Sequence, residues 1–344
     1  MCQQQGIALT TVQTKVADTA GTGLEAAARQ ARYAAFEAEI EADEVLVTAH
    51  HADDQLETLL LRLARGAGVA GMAGIPRFRR FGRGYLARPL LNIRRKMLQE
   101  FVEALGLDWI GDPSNQDSGF DRSYLRAEVV PAFRKRWPAI DVTAARLAGL
   151  MAETQGLLDD LAAADLGERP SAEPLPLSAL AQLDSPRRRN ALRYWLGRCG
   201  CKPPSAAQLE SLLEMLGARS DSNPVFHWGD HEVRVYRARL YVVPTSSATR
   251  PTEPGWLTLD QAWEGVEGRL ELVPAAVGGW SLARAQQGFR VMPRSGGERF
   301  RPIPGQPSKA LKKWFQEAGV VPWMRARIPL LYSGDELVAI GDLW

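Results

Sequence analysis

The stretch VTAHHADDQLETLLLRL constrains the fold more than any other part of the chain. Val45, Leu46 and Val47 form a short, β-branched apolar run, the pattern of a buried strand, and the leucines that follow recur at helical spacing. A strand therefore leads into a helix. At about 100° per residue, His50, Asp53, Asp54 and Glu57 fall within an arc of roughly 100°, while Leu56, Leu59 and Leu63 lie on another face. This predicts leucines docked on a sheet and acids facing a cleft. Asp53 and Glu57 are an i,i+4 pair and Asp54 and Glu57 an i,i+3 pair. Each such like-charged pair costs about 0.2–0.5 kcal/mol, and no Lys or Arg stands one turn later to relieve it. A cation from outside is implied. The competing reading is that acids in a first helical turn answer the helix dipole, worth about 0.3–1 kcal/mol, with His50 and His51 as satisfied neighbours.

The formal net charge of +2 conceals a segregation. Between Glu57 and Glu100 there is no acidic residue, yet Arg62, Arg65, Arg77, Arg79, Arg80, Arg83, Arg88, Arg94, Arg95 and Lys96 supply ten positive charges, with Phe78, Phe81 and Tyr85 among them. Interleaved arginine and aromatic side chains suit a polyanion with exposed bases, because guanidinium groups pair with phosphates and rings stack on bases. A second basic region runs from Phe289 to Ile328, where nine Arg or Lys residues face only Glu298 and Glu317. Two separated basic regions favour a large anionic partner over a small one, against the alternative of solvated basic surfaces.

At 344 residues, 45% hydrophobic and 24% charged, the chain has the size of two or three domains and an ordinary globular composition. The start MCQQQGIALTTV has neither a basic n-region nor an apolar h-region, and no apolar run approaches the ~20 residues of a membrane span. A cytoplasmic protein is expected. Cys2, Cys199 and Cys201 have no paired C-x-x-C spacing, so neither a disulfide framework nor a zinc site is supported.

Up to about residue 136 the pattern alternates in α/β fashion. It predicts a strand near Ile7 to Val16, a helix from Leu24 to about Glu41, the strand at Val45, the acidic helix, and a helix from Ile93 to Leu105. Residues 137–250 read as a mostly helical middle domain, with Pro186 near a helix start and FHWGDHEVRVYRARLYVVP alternating like a strand pair. After the connector TSSATRPTEPG, residues 251–344 read as a small α+β domain, with SKALKKWFQEAG a helix that Ser308 caps and Gly319 ends.

Five motifs in register, AHHADDQLETLLLRLARGAG, EAAARQARYAAF, RPLLNIRRKMLQEF, DWIGDPSNQDSGFDRSYLRAEVVPAF and GERFRPIPGQPSKALKKWFQEAGVVPWMRARIPLL, resemble tRNA(Ile)-lysidine synthetases over nearly the whole chain. The resemblance implies an incomplete Rossmann-like, doubly wound parallel sheet of the PP-loop ATP pyrophosphatase type over 1–136. It implies ATP with Mg2+ as cofactor, and free L-lysine and the tRNA(Ile) with a CAU anticodon as partners. The implied reaction activates C2 of the wobble cytidine at position 34 by adenylation, after which the lysine ε-amine displaces AMP to give lysidine. By the same resemblance His50, Asp53, Asp54 and Glu57 are catalytic-motif positions, Asp54 and Glu57 hold the lysine, and Arg29, Arg32, Arg122 and Arg126 lie beside ATP and the substrates. Ser123 stands where the family usually has Asn. The tRNA-binding candidates are Arg77, Arg79, Arg80 and Arg83 near the anticodon loop, and Lys309, Lys312 and Lys313 on one side of the C-terminal helix. A homodimer is a possible assembly.

The family's glycine-rich S-G-G-x-D-S loop, whose backbone N–H groups cradle phosphates, does not occur in the sequence. The G-x-G at Gly21 to Gly23 lacks its Ser and Asp. An N-terminally truncated catalytic domain is expected, with a catalytically inactive tRNA-binding fragment as the alternative function. A third reading is a metal-dependent hydrolase using His50, His51, Asp53 and Asp54, for which no further His lies nearby in the chain. The expectation is no resident metal.

Overall fold

The computed structural model describes residues 2, 6–16, 24–107, 121–167, 173–217, 225–245, 252–265, 268–275, 279–301 and 307–343. It divides into two compact units, Met1–Asp160 and Leu161–Trp344.

In the first unit, helix α1 (Leu24–Glu39) precedes strand β1 (Val45–Val47), which leads into α2 (Ala52–Ala64) as the sequence predicts. The short α3 (Val69–Met72) follows, then β2 (Phe78–Phe81), β3 (Gly84–Ala87) and α4 (Arg95–Ala104). The sheet has the order β1-β3-β2, with β1 parallel and β2 antiparallel to β3. Gly84 belongs here because a Cβ would sit 2.4 Å from the Glu44 carbonyl oxygen, so only glycine lets β3 come this close to the entry of β1. Beneath the sheet Ile40, Phe81 and Leu86 pack with Tyr33 and Phe36 of α1. α5 (Asp121–Tyr124), a π-turn over Leu125–Val129 and α6 (Val130–Arg136) then lead to the long α7 (Ile140–Leu166).

Two expectations fail in this unit. Residues 7–16 form no strand: Ile7, Leu9, Val12 and Val16 are exposed and pair with none of the strands among the described residues, and β-propensity without cross-strand packing does not make a strand. The leucines of α2 also dock elsewhere than expected. Leu56 and Leu59 pack on Val130, Ala144 and Ala148 of α6 and α7, worth about 1.5–3 kcal/mol per buried side chain, and Leu63 is exposed.

The second unit begins with a helical set, α8 (Leu177–Ala181), α9 (Ser185–Arg198) and α10 (Ala206–Gly217), around a core that includes Leu192, Leu196, Leu209 and Leu212. Pro186 sits in the first turn of α9, where Asp184 accepts the Arg187 N–H at 2.9 Å. The core is closed by a four-stranded sheet, β4 (Leu175–Pro176), β5 (Val225–Trp228), β6 (His231–Tyr236) and β7 (Arg239–Pro244), ordered β4-β7-β6-β5. The alternating run read as a strand pair is thus three strands, because two tight turns interrupt it.

The C-terminal sheet is ordered β15-β14-β11-β8, from β8 (Gly255–Leu257), β11 (Phe289–Met292), β14 (Leu330–Ser333) and β15 (Glu336–Ile340). Between them lie β9 (Trp263–Gly265), β10 (Gly268–Leu270), α11 (Leu282–Gln287), β12 (Arg299–Phe300), β13 (Lys309–Ala310) and α12 (Leu311–Glu317). One face buries Leu257, Phe289, Val291, Leu331 and Ala339, and part of the other is covered by Leu311 and Phe315 of α12.

Candidate active site and basic surfaces

A cavity of about 420 Å³ opens at the carboxyl end of β1, where parallel α/β sheets present their loops. Arg29, Arg32, Tyr33 and Phe36 line it from α1, Thr48, Ala49 and His50 from the turn after β1, Asp54 from α2 and Arg122 from α5. Arg29 lies 4.7 Å from the centre of the Tyr33 ring and donates to its hydroxyl at 3.3 Å, which holds the guanidinium against the wall. The His50 ring is fixed by a 2.9 Å contact between Nδ1 and Thr48 Oγ1. Burial, with the positive charges of Arg88, Arg29 and Arg122, holds the His50 pKa below the usual imidazole value against the opposing pull of Asp54. The neutral imidazole is therefore favoured over the imidazolium.

The three acids of α2 have different fates. Asp54 accepts the His51 backbone N–H at 2.9 Å, closing the helix start, and lines the cavity. Asp53 turns away: Oδ2 accepts the Arg95 N–H at 2.9 Å and Oδ1 the Arg134 guanidinium at 2.6 Å. Burial raises its pKa, but these two donors outweigh that and leave it below the usual carboxylate value. Glu57, 1% exposed, receives Nε of Arg126 at 2.9 Å and a second N–H at 3.0 Å, a bidentate fork that raises the arginine's pKa. The cation implied for these acids is thus supplied from within, for two of the three, by residues remote in sequence. Arg134 also grips Asp141, which pairs with Arg94 at 3.0 Å, so one charged network ties the starts of α2, α4 and α7 together.

Of the residues singled out in the sequence, Arg29, Arg32, His50, Asp54 and Arg122 line one cavity, whereas Asp53, Glu57 and Arg126 form buried pairs and do not line it. Sequence reading missed Tyr33, Thr48, Arg134 and Asp141. Tyr33 was legible in principle, one helical turn after Arg29, but no spacing rule links Arg134 to Asp53. The hydrolase ligand set does not converge: Asp53 is committed to Arg134 and Arg95, and among the described residues no group of three or more His, Cys, Asp or Glu could hold a metal. The G-x-G at 21–23 and most of the segment before Asp121 in the fourth motif lie outside the described residues.

The middle of the first basic region, Phe78 to Ala87, is a β-hairpin. Gly82, at φ 54°, and Arg83 make its two-residue turn, and Phe78 stacks on Tyr85 at 5.0 Å with Arg80 over the same ring at 5.4 Å. Arg77, Arg79, Arg80 and Arg83 are exposed, but Arg62, Arg88 and Arg94 spend their donors on the backbone carbonyls of Gly71 and Gly74, of Pro76 and of Pro138. In the second region Lys309 is not on the helix. It lies in β13 and is bound to Glu317, and Ser308 caps nothing, its hydroxyl taking Nε of Arg299 at 2.8 Å, while Ala310 occupies the cap position. Lys312 and Lys313 are exposed on α12, which Gly319 ends at φ 73°. Among the described residues no helix is long and apolar enough to cross a membrane.

Three family models match the chain: the PP-loop domain over residues 1–133, the TilS substrate binding domain over 175–241 and the TilS substrate C-terminal domain over 289–344. The tRNA(Ile)-lysidine synthase of Alkalilimnicola ehrlichii is 40% identical across 99% of this chain and 78% of its own length. That of Yersinia pseudotuberculosis is 40% identical across 100% of this chain and 78% of its own, and that of Pseudomonas putida 37% identical across 100% and 80%. With a parallel β1–β3 core, an arginine-lined cavity at its carboxyl end and relatives aligned through all three matched segments, the chain belongs to the tRNA(Ile)-lysidine synthase family.

Proposed function

We propose that this chain ligates lysine to C2 of cytidine 34 in the AUA-reading tRNA(Ile) with the CAU anticodon, through an adenylated cytidine, using ATP with Mg2+. The observation that carries the reading is the lining of the cavity: among the described residues, three guanidinium groups, an imidazole whose charged form is disfavoured and a single carboxylate, Asp54. Guanidinium groups suit the nucleotide phosphates, and the carboxylate suits the α-ammonium or ε-ammonium of a free lysine. Asp54 takes the lysine directly in this proposal. Glu57, engaged by Arg126, acts as a positioning residue that sets where α2 meets the π-turn. In this reading His50, oriented by Thr48, accepts the proton that the ammonium must lose before its amine can attack. Magnesium would arrive bound to the ATP phosphates and would supply charge neutralisation there.

The division into a catalytic domain over 1–136, a middle domain over 137–250 and a C-terminal domain over 251–344 belongs to the same proposal. The hairpin β2–β3 works near the anticodon loop, whose unpaired bases can be splayed and stacked, and Lys312 and Lys313 track phosphates. The test is AMP release from ATP by the 344-residue chain, with lysine and tRNA each omitted in turn. AMP and lysidine that both form only when tRNA and lysine are present together support the reading. tRNA binding without AMP release supports the alternative of a binding fragment.

A further inference from the structure

The C-terminal sheet carries a row of side chains that the family resemblance does not use. Directly opposed residues of adjacent antiparallel strands share a face, with Cβ atoms about 4.5–5.5 Å apart. Arg290 on β11 is opposite Trp256 on β8 and opposite Tyr332 on β14, and Tyr332 is opposite Leu337 on β15. At one end of this row Leu337 is buried under α12, in the cluster of Leu311 and Phe315. Tyr332 marks the margin of that cover, and beyond it Arg290 and Trp256 are exposed, Trp256 to 56%. The guanidinium of Arg290 stands 5.8 Å from the Tyr332 ring centre.

More than half of the Trp256 surface stays in water, which leaves the ring open to a partner. Aligned with an arginine and a tyrosine, it forms a flat strip of π-surface and delocalised charge about three strands wide. Arg290 is the charged member of this row, so the strip favours an anionic ligand over a cationic one.

We propose that Trp256, Arg290 and Tyr332 form a stacking platform for an unpaired nucleotide of the RNA substrate, the rings and guanidinium taking base faces and Arg290 also the adjoining phosphate. Such a platform tolerates any base, because every base has a π-face, and it rejects duplex, whose bases are already stacked. The inference rests on the reading of an RNA substrate given above, but concerns a part of the molecule separate from the α2 cavity.

The experiment measures binding of the full 344-residue chain to a short single-stranded RNA and to a duplex of equal length, by fluorescence anisotropy at fixed salt. Trp256→Ala is expected to weaken single-strand binding about tenfold and leave duplex binding unchanged. Tyr332→Phe, which keeps the ring, is expected to change neither, and Arg290→Lys, which keeps charge but not the plane, to cost less than Trp256→Ala. Equal losses for both RNAs, or none for either, would overturn the platform while leaving RNA binding intact. A wild-type chain that binds neither RNA overturns both the platform and the reading it rests on. A final arm uses tRNA with and without its unpaired 3′ nucleotides: a Trp256→Ala effect that vanishes on trimming places the stacked base at that end, and one that persists places it in a loop.

Discussion

The start of α2 and the start of α12 both concentrate charge of one sign, and the fold treats them in opposite ways. In α2, Asp53 and Glu57 are buried and each is met by an arginine, at 2.6 and 2.9 Å. In α12, Lys312 and Lys313 stay in water, and only Lys309, outside the helix, is drawn into a pair with Glu317. A buried charge must be matched, so it becomes part of the framework, whereas an exposed one keeps its counterions and can exchange them for a partner's phosphates. Charge density along a sequence therefore does not distinguish framework from binding surface. Asp54 is the instructive intermediate: it caps its helix through one oxygen and still faces the cavity.

The sharpest way to break this contrast is to remove one partner of the buried fork. Arg126→Met leaves Glu57 uncompensated at 1% exposure and should cost about 3–5 kcal/mol of unfolding free energy in urea titrations, with much of the loss recovered in the double variant carrying Glu57→Gln. A loss below about 1 kcal/mol would place Glu57 with the exposed charges. Next in size, Asp54→Asn should weaken lysine binding by about 1.5–3 kcal/mol while leaving stability nearly unchanged, because the amide oxygen can still accept the His51 N–H. Calorimetric titration with L-lysine in the presence of tRNA and an inert ATP analogue measures the first, and an unchanged affinity removes Asp54 from the lysine site.

The third prediction concerns pH. The Asp53 pKa in the folded protein lies below its unfolded value, so its contribution is complete above the unfolded pKa, near 4, and is lost as pH falls through the folded one. Stability measured from pH 6 downward should therefore fall less steeply in Asp53→Asn than in the parent chain below about pH 4. Parallel curves would show that Arg134 and the Arg95 N–H do not favour the ionised form. The smallest effect belongs to α12. Lys312→Gln with Lys313→Gln should leave stability within about 0.5 kcal/mol and flatten the log–log salt dependence of tRNA binding by about 0.7–0.9 per lost phosphate contact. Changing Arg79 and Arg80 in the hairpin should instead reduce discrimination between tRNAs that differ at the anticodon.

Local features were legible without coordinates. The strand at Val45–Val47, the helix after it, the α1 helix and the first turn of α9 with Pro186 all follow from spacings within one or two turns, where backbone geometry alone decides which side chains share a face. Five motifs in order also made the family recognisable. Arg29, Arg32, His50, Asp54 and Arg122 could be named in advance by that resemblance, and they line one cavity.

The partners of those residues were not legible. Nothing in AHHADDQLE distinguishes Asp53 from Asp54, yet one is locked to Arg134 and the other left facing the cavity, because helix packing brings α6 against only one side of α2. The hairpin pair Phe78 and Tyr85 could be suspected from their nearness in the chain. Trp256, Arg290 and Tyr332 could not, since their alignment exists only once β8, β11 and β14 take their register. The run at 7–16 shows the converse: its composition is suited to a strand, but no strand among the described residues pairs with it, so it remains irregular and exposed. Periodicity is a property of the backbone over a few residues and can be read from order alone. Ion pairs and sheet register join residues whose separation in the chain carries no information about their distance in space, so only the tertiary structure could decide them.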